Sequence, residues 1–290
     1  MQWEPDWGLR GRMTLTMGLL AVLYIVFAVV LVEGLGAAPT VALVVIGGFS
    51  LVQYYYSDKL ALRSMNAKVV DPEEEPDLHR MVDRLSQQAD LPKPKVAVAP
   101  TETPNAFATG RNQSNAVVCV TEGLVRTLTD EELEGVIAHE LAHIKHRDVM
   151  VMTIASFLST VAFMIVRYGF LFGGGRRRGG GGVMVAILVS LVVWIVSYVL
   201  IRALSRYREY AADRGAVKIT GNPGALASAL QSISGEMDRR PEEDLREQEE
   251  MNAFFIIPIS KGFVGRLFST HPPTEKRIEQ LHELQRELVS

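Results

Sequence analysis

A chain of 290 residues, 48% of them hydrophobic, can hold one or two domains, but its apolar residues fall in blocks rather than mixing evenly with polar ones. The formal net charge of -3 and the lack of long basic or acidic tails remove the electrostatic case for a nucleic-acid partner. A single cysteine, Cys119, rules out an internal disulfide and any demand for an oxidising compartment.

Four uncharged apolar stretches stand out: Met13–Val32, Ala37–Tyr54, Val149–Val166 and Val183–Ile201. At 1.5 Å per residue, eighteen to twenty helical residues cover about 27–30 Å, the thickness of a hydrocarbon core. The first is too long for a signal-peptide core and reads as a retained anchor. Only Glu33-Gly34-Leu35-Gly36 separates it from the second, which fits a tight transmembrane hairpin.

Between the two pairs the chain turns polar. Pro76 can open a helix whose apolar face is Leu78, Met81, Val82 and Leu85. Val96–Ala99 and Ala116–Val120 read as strands of a small sheet, joined by a polar stretch with Gly110, Asn112 and Asn115. Cys119 is then a small apolar residue inside a strand. Thr129 and Glu132 stand in capping-box spacing, with Asp130 and Glu131 in the first turn, so a helix is expected over Thr129–Asp148.

After the fourth apolar stretch, Arg202–Val217 is free of proline and can prolong that helix into water. Asn222-Pro223 starts another helix, with Leu226, Leu230 and Ile233 on one face. Arg239–Glu250 is charge-dense and reads as a mobile loop, and the apolar run Ala253–Ile259, too short to cross a membrane, as core or as a contact with the bilayer surface. An amphipathic helix closes the chain over Thr274–Val289, with Ile278, Leu281, Leu284 and Leu288. No internal repeat is visible.

The chemistry sits in the capped helix, at His139-Glu140-Leu141-Ala142-His143. Residues four apart share a helix face, so both imidazoles can reach one ion, while Glu140, 100° round from His139, can meet a water there. This is the spacing of a metalloprotease helix: the metal acidifies water and polarises a carbonyl, and the carboxylate acts as general base. The bland alternative is a polar helix face with two satisfied histidines. The cap, the small or apolar neighbours Ala138, Leu141, Ala142 and Ile144, and a candidate third ligand weigh against it.

A catalytic zinc takes three protein ligands and keeps one position open. The segment Arg206-Tyr207-Arg208-Glu209-Tyr210-Ala211-Ala212-Asp213 offers two carboxylates on one helix face. Glu209 is the candidate ligand, and Asp213 a candidate acceptor for the free N–H of one metal-bound histidine. Taken alone, a glutamate among arginines is more often a solvated ion pair. His143 precedes the third apolar stretch by six residues and Glu209 follows the fourth by eight. Helices running unbroken out of a bilayer would hold them about 9 and 12 Å above it, on the same side.

Together these residues resemble the HtpX family of membrane zinc endopeptidases, gluzincins related to the CAAX prenyl proteases. The resemblance covers the N-terminal hairpin, Pro104-Asn105-Ala106-Phe107-Ala108, the histidine motif, two further apolar segments, Arg208-Glu209-Tyr210-Ala211-Ala212-Asp213, and Ser269-Thr270-His271-Pro272-Pro273-Thr274 with Arg277-Ile278. It implies a mainly α-helical integral membrane protein with a small zincin-like α+β catalytic part. One zinc ion per chain is implied, with Glu209 as third ligand. The implied activity is endoproteolysis of membrane or unfolded proteins in quality control and stress response. Asn105 and Ala106 are implied to line the substrate cleft beside an edge strand near Ala116–Val120, where an extended peptide can add by backbone hydrogen bonds. His271 is placed near the developing oxyanion, with a turn-capping histidine as the alternative. His146 reads as a helix-end cation. His79 and His282 read as polar-face residues without a role.

Domain organisation follows: an N-terminal transmembrane hairpin over 1–56, a cytoplasmic catalytic part over 57–148, a second apolar pair over 149–201, and a cytoplasmic part over 202–290. Arg167 and Arg176-Arg177-Arg178 sit in the glycine-rich connection Gly169–Gly182, on the far side if the second pair spans, against the positive-inside rule; a re-entrant or peripheral hairpin is the alternative and keeps His143 and Glu209 on one face. Arg10, Arg12, Lys59, Arg63, Lys68, Arg202, Arg206 and Arg208 lie on the motif's side, which places the active site in the cytoplasm, at the plasma membrane. Two rival functions are a zinc-binding scaffold without catalysis, for which Glu140 has no use, and a transporter. A transporter calls for ionisable residues inside the spans, and these four have none.

Overall fold

The structure, a computed structural model, describes residues 7–35, 38–172, 180–239 and 271–289. In chain order the elements are α1 (Trp7–Leu35), α2 (Ala38–Tyr55), α3 (Ser57–Ser64), β1 (Lys68–Val69), α4 (Pro76–Gln88), β2 (Lys95–Ala99), β3 (Ala106–Thr109), β4 (Val117–Thr121), α5 (Glu122–Thr127), α6 (Asp130–His146), α7 (Asp148–Phe172), α8 (Gly180–Thr220), α9 (Pro223–Arg239) and α10 (Thr274–Val289). Contacts divide the chain into two units: residues 4–54 with 150–207, and residues 55–149 with 208–290.

The first unit is apolar helix. Leu20, Phe27, Val161, Ala162 and Val193 form its interior. Its outer surface is apolar as well: Ile25 is 65% exposed, Ile154 60% and Val199 60%. An apolar surface this continuous requires lipid rather than water around it. Three helices among the described residues are long and apolar enough to cross a membrane, Trp7–Val30, Asp148–Arg167 and Met184–Thr220. The remaining expected span, Ala37–Tyr54, coincides with the helix α2. Inside this unit Tyr24 Oη donates to Ala155 O at 2.6 Å, which satisfies a hydroxyl where no water competes. Residues 36–37 and Arg176-Arg177-Arg178 lie outside the described residues, as do most of Arg239–Glu250 and all of Ala253–Ile259.

The second unit is built on a four-stranded sheet in the order β1-β2-β4-β3, with β2 and β4 parallel and the outer pairs antiparallel. All five residues of β4 are buried, as a strand covered on both faces must be. Val118 and Val120 point to one face, into a core with Val136, Ile137, Leu141, Leu226, Leu230 and Leu281. Val117 and Cys119 point to the other, against Phe107, Ala61 and Met65. Burial pushes the Cys119 thiol up to about 12, so it is an inert core residue.

Three expectations are corrected here. The edge strand expected near Ala116–Val120 is its neighbour β3, within the stretch read as a polar connection, while β4 itself is internal. His79 is not on a polar face: it is buried, with Nε2 3.0 Å from Val70 O. Finally, α6 does not run on into the third apolar stretch. It ends at His146, Arg147 takes a left-handed conformation (φ 56, ψ 42), and α7 begins at Asp148. The other half of that expectation holds, since α8 is one helix from Gly180 to Thr220.

Candidate metal centre

Helix α6 starts where its local chemistry dictates. Thr129 Oγ1 accepts the Glu132 N–H at 3.3 Å, and the Glu132 carboxylate accepts the Thr129 N–H at 3.0 Å. The same carboxylate accepts hydroxyls of Ser228 (2.5 Å) and Ser232 (3.2 Å) from α9, which fixes the rotation of α6 about its axis. From that start the helix buries Ala138, His139, Glu140, Leu141 and Ala142 in succession.

Two glycines let neighbouring helices come close. A Cβ on Gly135 would meet Leu226 N of α9 at 3.0 Å, and a Cβ on Gly215 of α8 would lie 2.6 Å from Ala142 Cβ. The second contact draws the Glu209 turn of α8 towards the two histidines. Gly215→Val is therefore expected to force α8 off α6 and to cost about 1–3 kcal/mol, the usual range for overpacking. A fall in the thermal unfolding midpoint of the metal-free protein measures it.

The structure brings His139, His143 and Glu209 together, with one donor atom of each within 4.8 Å of the others. His139 Nε2 stands 3.1 Å from His143 Nε2, 3.6 Å separates His139 Nε2 from Glu209 Oε2, and 3.5 Å separates His143 Nε2 from Glu209 Oε1. Behind each ring stands a carboxylate: Asp213 Oδ1 is 2.9 Å from His139 Nδ1, and Asp148 Oδ2 is 2.5 Å from His143 Nδ1. Each carboxylate is in turn held by an arginine. Arg277 donates twice to Asp213 (2.9 and 2.7 Å), and Arg208 lies 2.8 Å from Asp148 Oδ2.

This donor chemistry fits a divalent cation. With both Nδ1–H groups given to carboxylates, the two Nε2 atoms face each other across 3.1 Å, which calls for a proton or a metal cation between them. Tetrahedral zinc with bonds of about 2.0–2.1 Å sets its ligands about 3.3–3.4 Å apart, close to the separations found. Burial disfavours charge on His139, but hydrogen bonds to Asp213 and Glu209 prevail and raise it to about 9. A cation seated there takes over the role of that proton.

Glu140 is 5% exposed and burial raises its pKa, opposed by the nearby histidines and by the Ala108 N–H that its carboxylate accepts. Asn105 O accepts the Thr121 N–H at 2.9 Å, and hydrogen-bonded pairs alternate along an antiparallel ladder, so the main-chain groups of Ala106 and Ala108 face the open side of β3. Asn105 and Ala106 thus begin the edge strand beside Glu140. Both are buried, at 0% and 1% exposure.

His271 Nδ1 lies 3.2 Å from Glu209 Oε2, at the same centre. His146 stays exposed at the end of α6, outside the ligand group, and His282 is exposed. Sequence reasoning missed three residues. Arg277 is 1% exposed, and the carboxylates of Asp213 and Glu209 hold it charged against the cost of its burial. Asp148 was read as a helix end. Arg208, one of the basic residues on the motif's side, is buried and paired with Asp148. Asp148 stands five residues past His143, a spacing with no helical meaning, so only the fold could assign it.

Residues 72–285 match the family model described as peptidase family M48. The chain is 57% identical to "Protease HtpX homolog 2" of Methanosarcina mazei, over 99% of both chains. It is 55% identical to "Protease HtpX homolog" of Moorella thermoacetica, over 99% of this chain and 98% of the relative. Among solved structures it resembles S. mikatae Ste24p with a TM-score of 0.57 and 15% identity, over 92% of this chain and 64% of that one, which is a likeness of fold.

Proposed function

We propose that this chain, which belongs to peptidase family M48 and is a membrane-bound metalloprotease, uses one zinc ion held by His139, His143 and Glu209 to hydrolyse internal peptide bonds of membrane or misfolded proteins. The observation that carries the reading is the triangle of two imidazole nitrogens and a carboxylate, 3.1–3.6 Å on its sides, with each ring anchored from behind. Two histidines and a glutamate are a catalytic rather than a structural zinc set, since three protein ligands leave a position open.

The bound ion would bring the pKa of water from 15.7 down to about 7 and polarise the scissile carbonyl. Glu140, the general base, takes the proton of the attacking water and delivers it to the departing amine. Its burial suits it to both steps, because a carboxyl held above its ordinary pKa accepts a proton readily. Asp213 and Asp148 keep the two rings turned with Nε2 inward. His271, adjacent to Glu209, is positioned to donate to the developing oxyanion.

The substrate adds as an extended strand to β3, where Asn105 and Ala106 line the cleft. This selects for polypeptide in unfolded or unwound form, which is what a quality-control protease meets. Arg10, Arg12, Lys59, Arg63 and Lys68 near the ends of α1 and α2 support an active site on the cytoplasmic side of the plasma membrane.

The full chain in detergent, assayed on casein and on an unfolded membrane protein, tests the reading. Chelation is expected to abolish cleavage and equimolar zinc to restore it, with zinc content tracking activity. Undiminished cleavage by metal-stripped protein would overturn it.

A further inference from the structure

His143 and His139 are supported in different ways. Asp213, behind His139, lies four residues after Glu209 on α8, so one turn of helix supplies both groups. Asp148, behind His143, belongs to neither α6 nor α8. It is the first residue of α7, and it reaches back to a histidine five positions earlier because Arg147 adopts the left-handed conformation at φ 56. A non-glycine residue in that region carries a conformational cost that surrounding contacts must repay. The visible return is the 2.5 Å contact of Asp148 Oδ2 with His143 Nδ1. Arg208, 8% exposed, holds the same oxygen from α8 at 2.8 Å. Arg208 directly precedes Glu209, so α8 presents the carboxylate of the centre and the clamp on His143's support from adjacent positions.

We propose that Asp148, clamped by Arg208, is a positioning residue that fixes His143 with its proton on Nδ1 and its Nε2 lone pair towards the metal, and that the left-handed break at Arg147 serves to place it. This rests on the metal-site reading above. Without Asp148, His143 can rotate or take the other tautomer, and either costs a ligand. Arg208 acts through Asp148, by holding its carboxylate pointed at the ring.

The test measures zinc affinity of the full chain by competition with a chelator, for Asp148→Asn, Arg208→Gln, the double variant and Asp148→Glu. Asp148→Asn is expected to weaken zinc binding about 10- to 100-fold, as loss of an outer partner of a metal-bound histidine does. Arg208→Gln weakens it less, and the double variant no more than Asp148→Asn alone, because the two residues act in series. Asp148→Glu restores part of the affinity. The metal-free chain labelled with ¹⁵N-histidine gives a second readout: the His143 signal shows Nδ1–H in wild type and a mixture of tautomers in Asp148→Asn. That measurement needs no zinc, and it decides the matter even if the variant is less stable. Wild-type affinity and an unchanged His143 tautomer in Asp148→Asn overturn the proposal. If instead Glu209→Ala keeps zinc at wild-type affinity, the metal-site reading itself fails.

Discussion

The Glu140→Gln chain is expected to retain zinc at the wild-type level and to lose about 10²- to 10⁴-fold in kcat, the range attributed to general acid–base catalysis. Glu140 is adjacent to His139 in sequence but turned away by one helical step, so it is a neighbour of the ligand group rather than a member of it. Glutamine has the same shape and can still accept the Ala108 N–H through its amide oxygen, so α6 and β3 keep their contact. What it lacks is a basic oxygen. A loss confined to kcat, with zinc content unchanged and the thermal midpoint held, identifies the proton-transfer role. A variant as active as wild type means another group is the base. Zinc bound with no cleavage in wild type would support the non-catalytic scaffold instead.

Replacing Glu209 with alanine is expected to abolish activity by a different route, through the metal. With only His139 and His143 left, zinc affinity falls by more than the roughly 10- to 100-fold that removal of an outer partner costs. Asp213 and Asp148 cannot replace the lost oxygen, because they are committed to the far nitrogens of the rings and to Arg277 and Arg208. The fold itself should persist: Arg277 keeps its two bonds to Asp213, and α8 remains seated on α6 through Gly215 and Ala142. The discriminating measurement is zinc content after dialysis, beside a circular-dichroism spectrum. A folded, zinc-loaded and active Glu209→Ala would remove this carboxylate from the ligand set.

The two predictions separate base from ligand, a distinction already present in the spacing of the motif. His139, Glu140 and His143 share one helix, and its start is written in Thr129 and Glu132, so their relative placement follows from helical periodicity alone. Glu209 and Asp213 were paired for the same reason, four apart on α8. The helical faces Leu226, Leu230 and Ile233, and Leu281 and Leu284, were likewise legible and are buried as expected.

Other features were not legible, for identifiable reasons. β3 is four residues long, Ala-Phe-Ala-Thr, too short for alternation to register, and it lies between Pro104 and Gly110. Its position as the sheet edge depends on the partner order β1-β2-β4-β3, which no local pattern encodes. β4 is legible as an apolar run, but its burial on both faces, and so its central place in the sheet, depends on what packs against it. The break at Arg147 sits in a run of residues that all tolerate helix, so nothing in the sequence announces it.

The sequence alone determined the membrane-length apolar helices, the capped helix with His139, Glu140 and His143 in register, and the pairing of Glu209 with Asp213. Each depends on hydrogen bonds and side-chain spacing within a few residues, where backbone geometry leaves little choice. Only the tertiary structure decided that Glu209 reaches both histidines, that Arg277 and Arg208 hold the supporting carboxylates, that Asp148 folds back onto His143, and that β3 borders Glu140. These contacts join residues up to 138 positions apart, as between His139 and Arg277, and their geometry is set by how closely packed helices can approach at Gly135 and Gly215, a property of the assembled core.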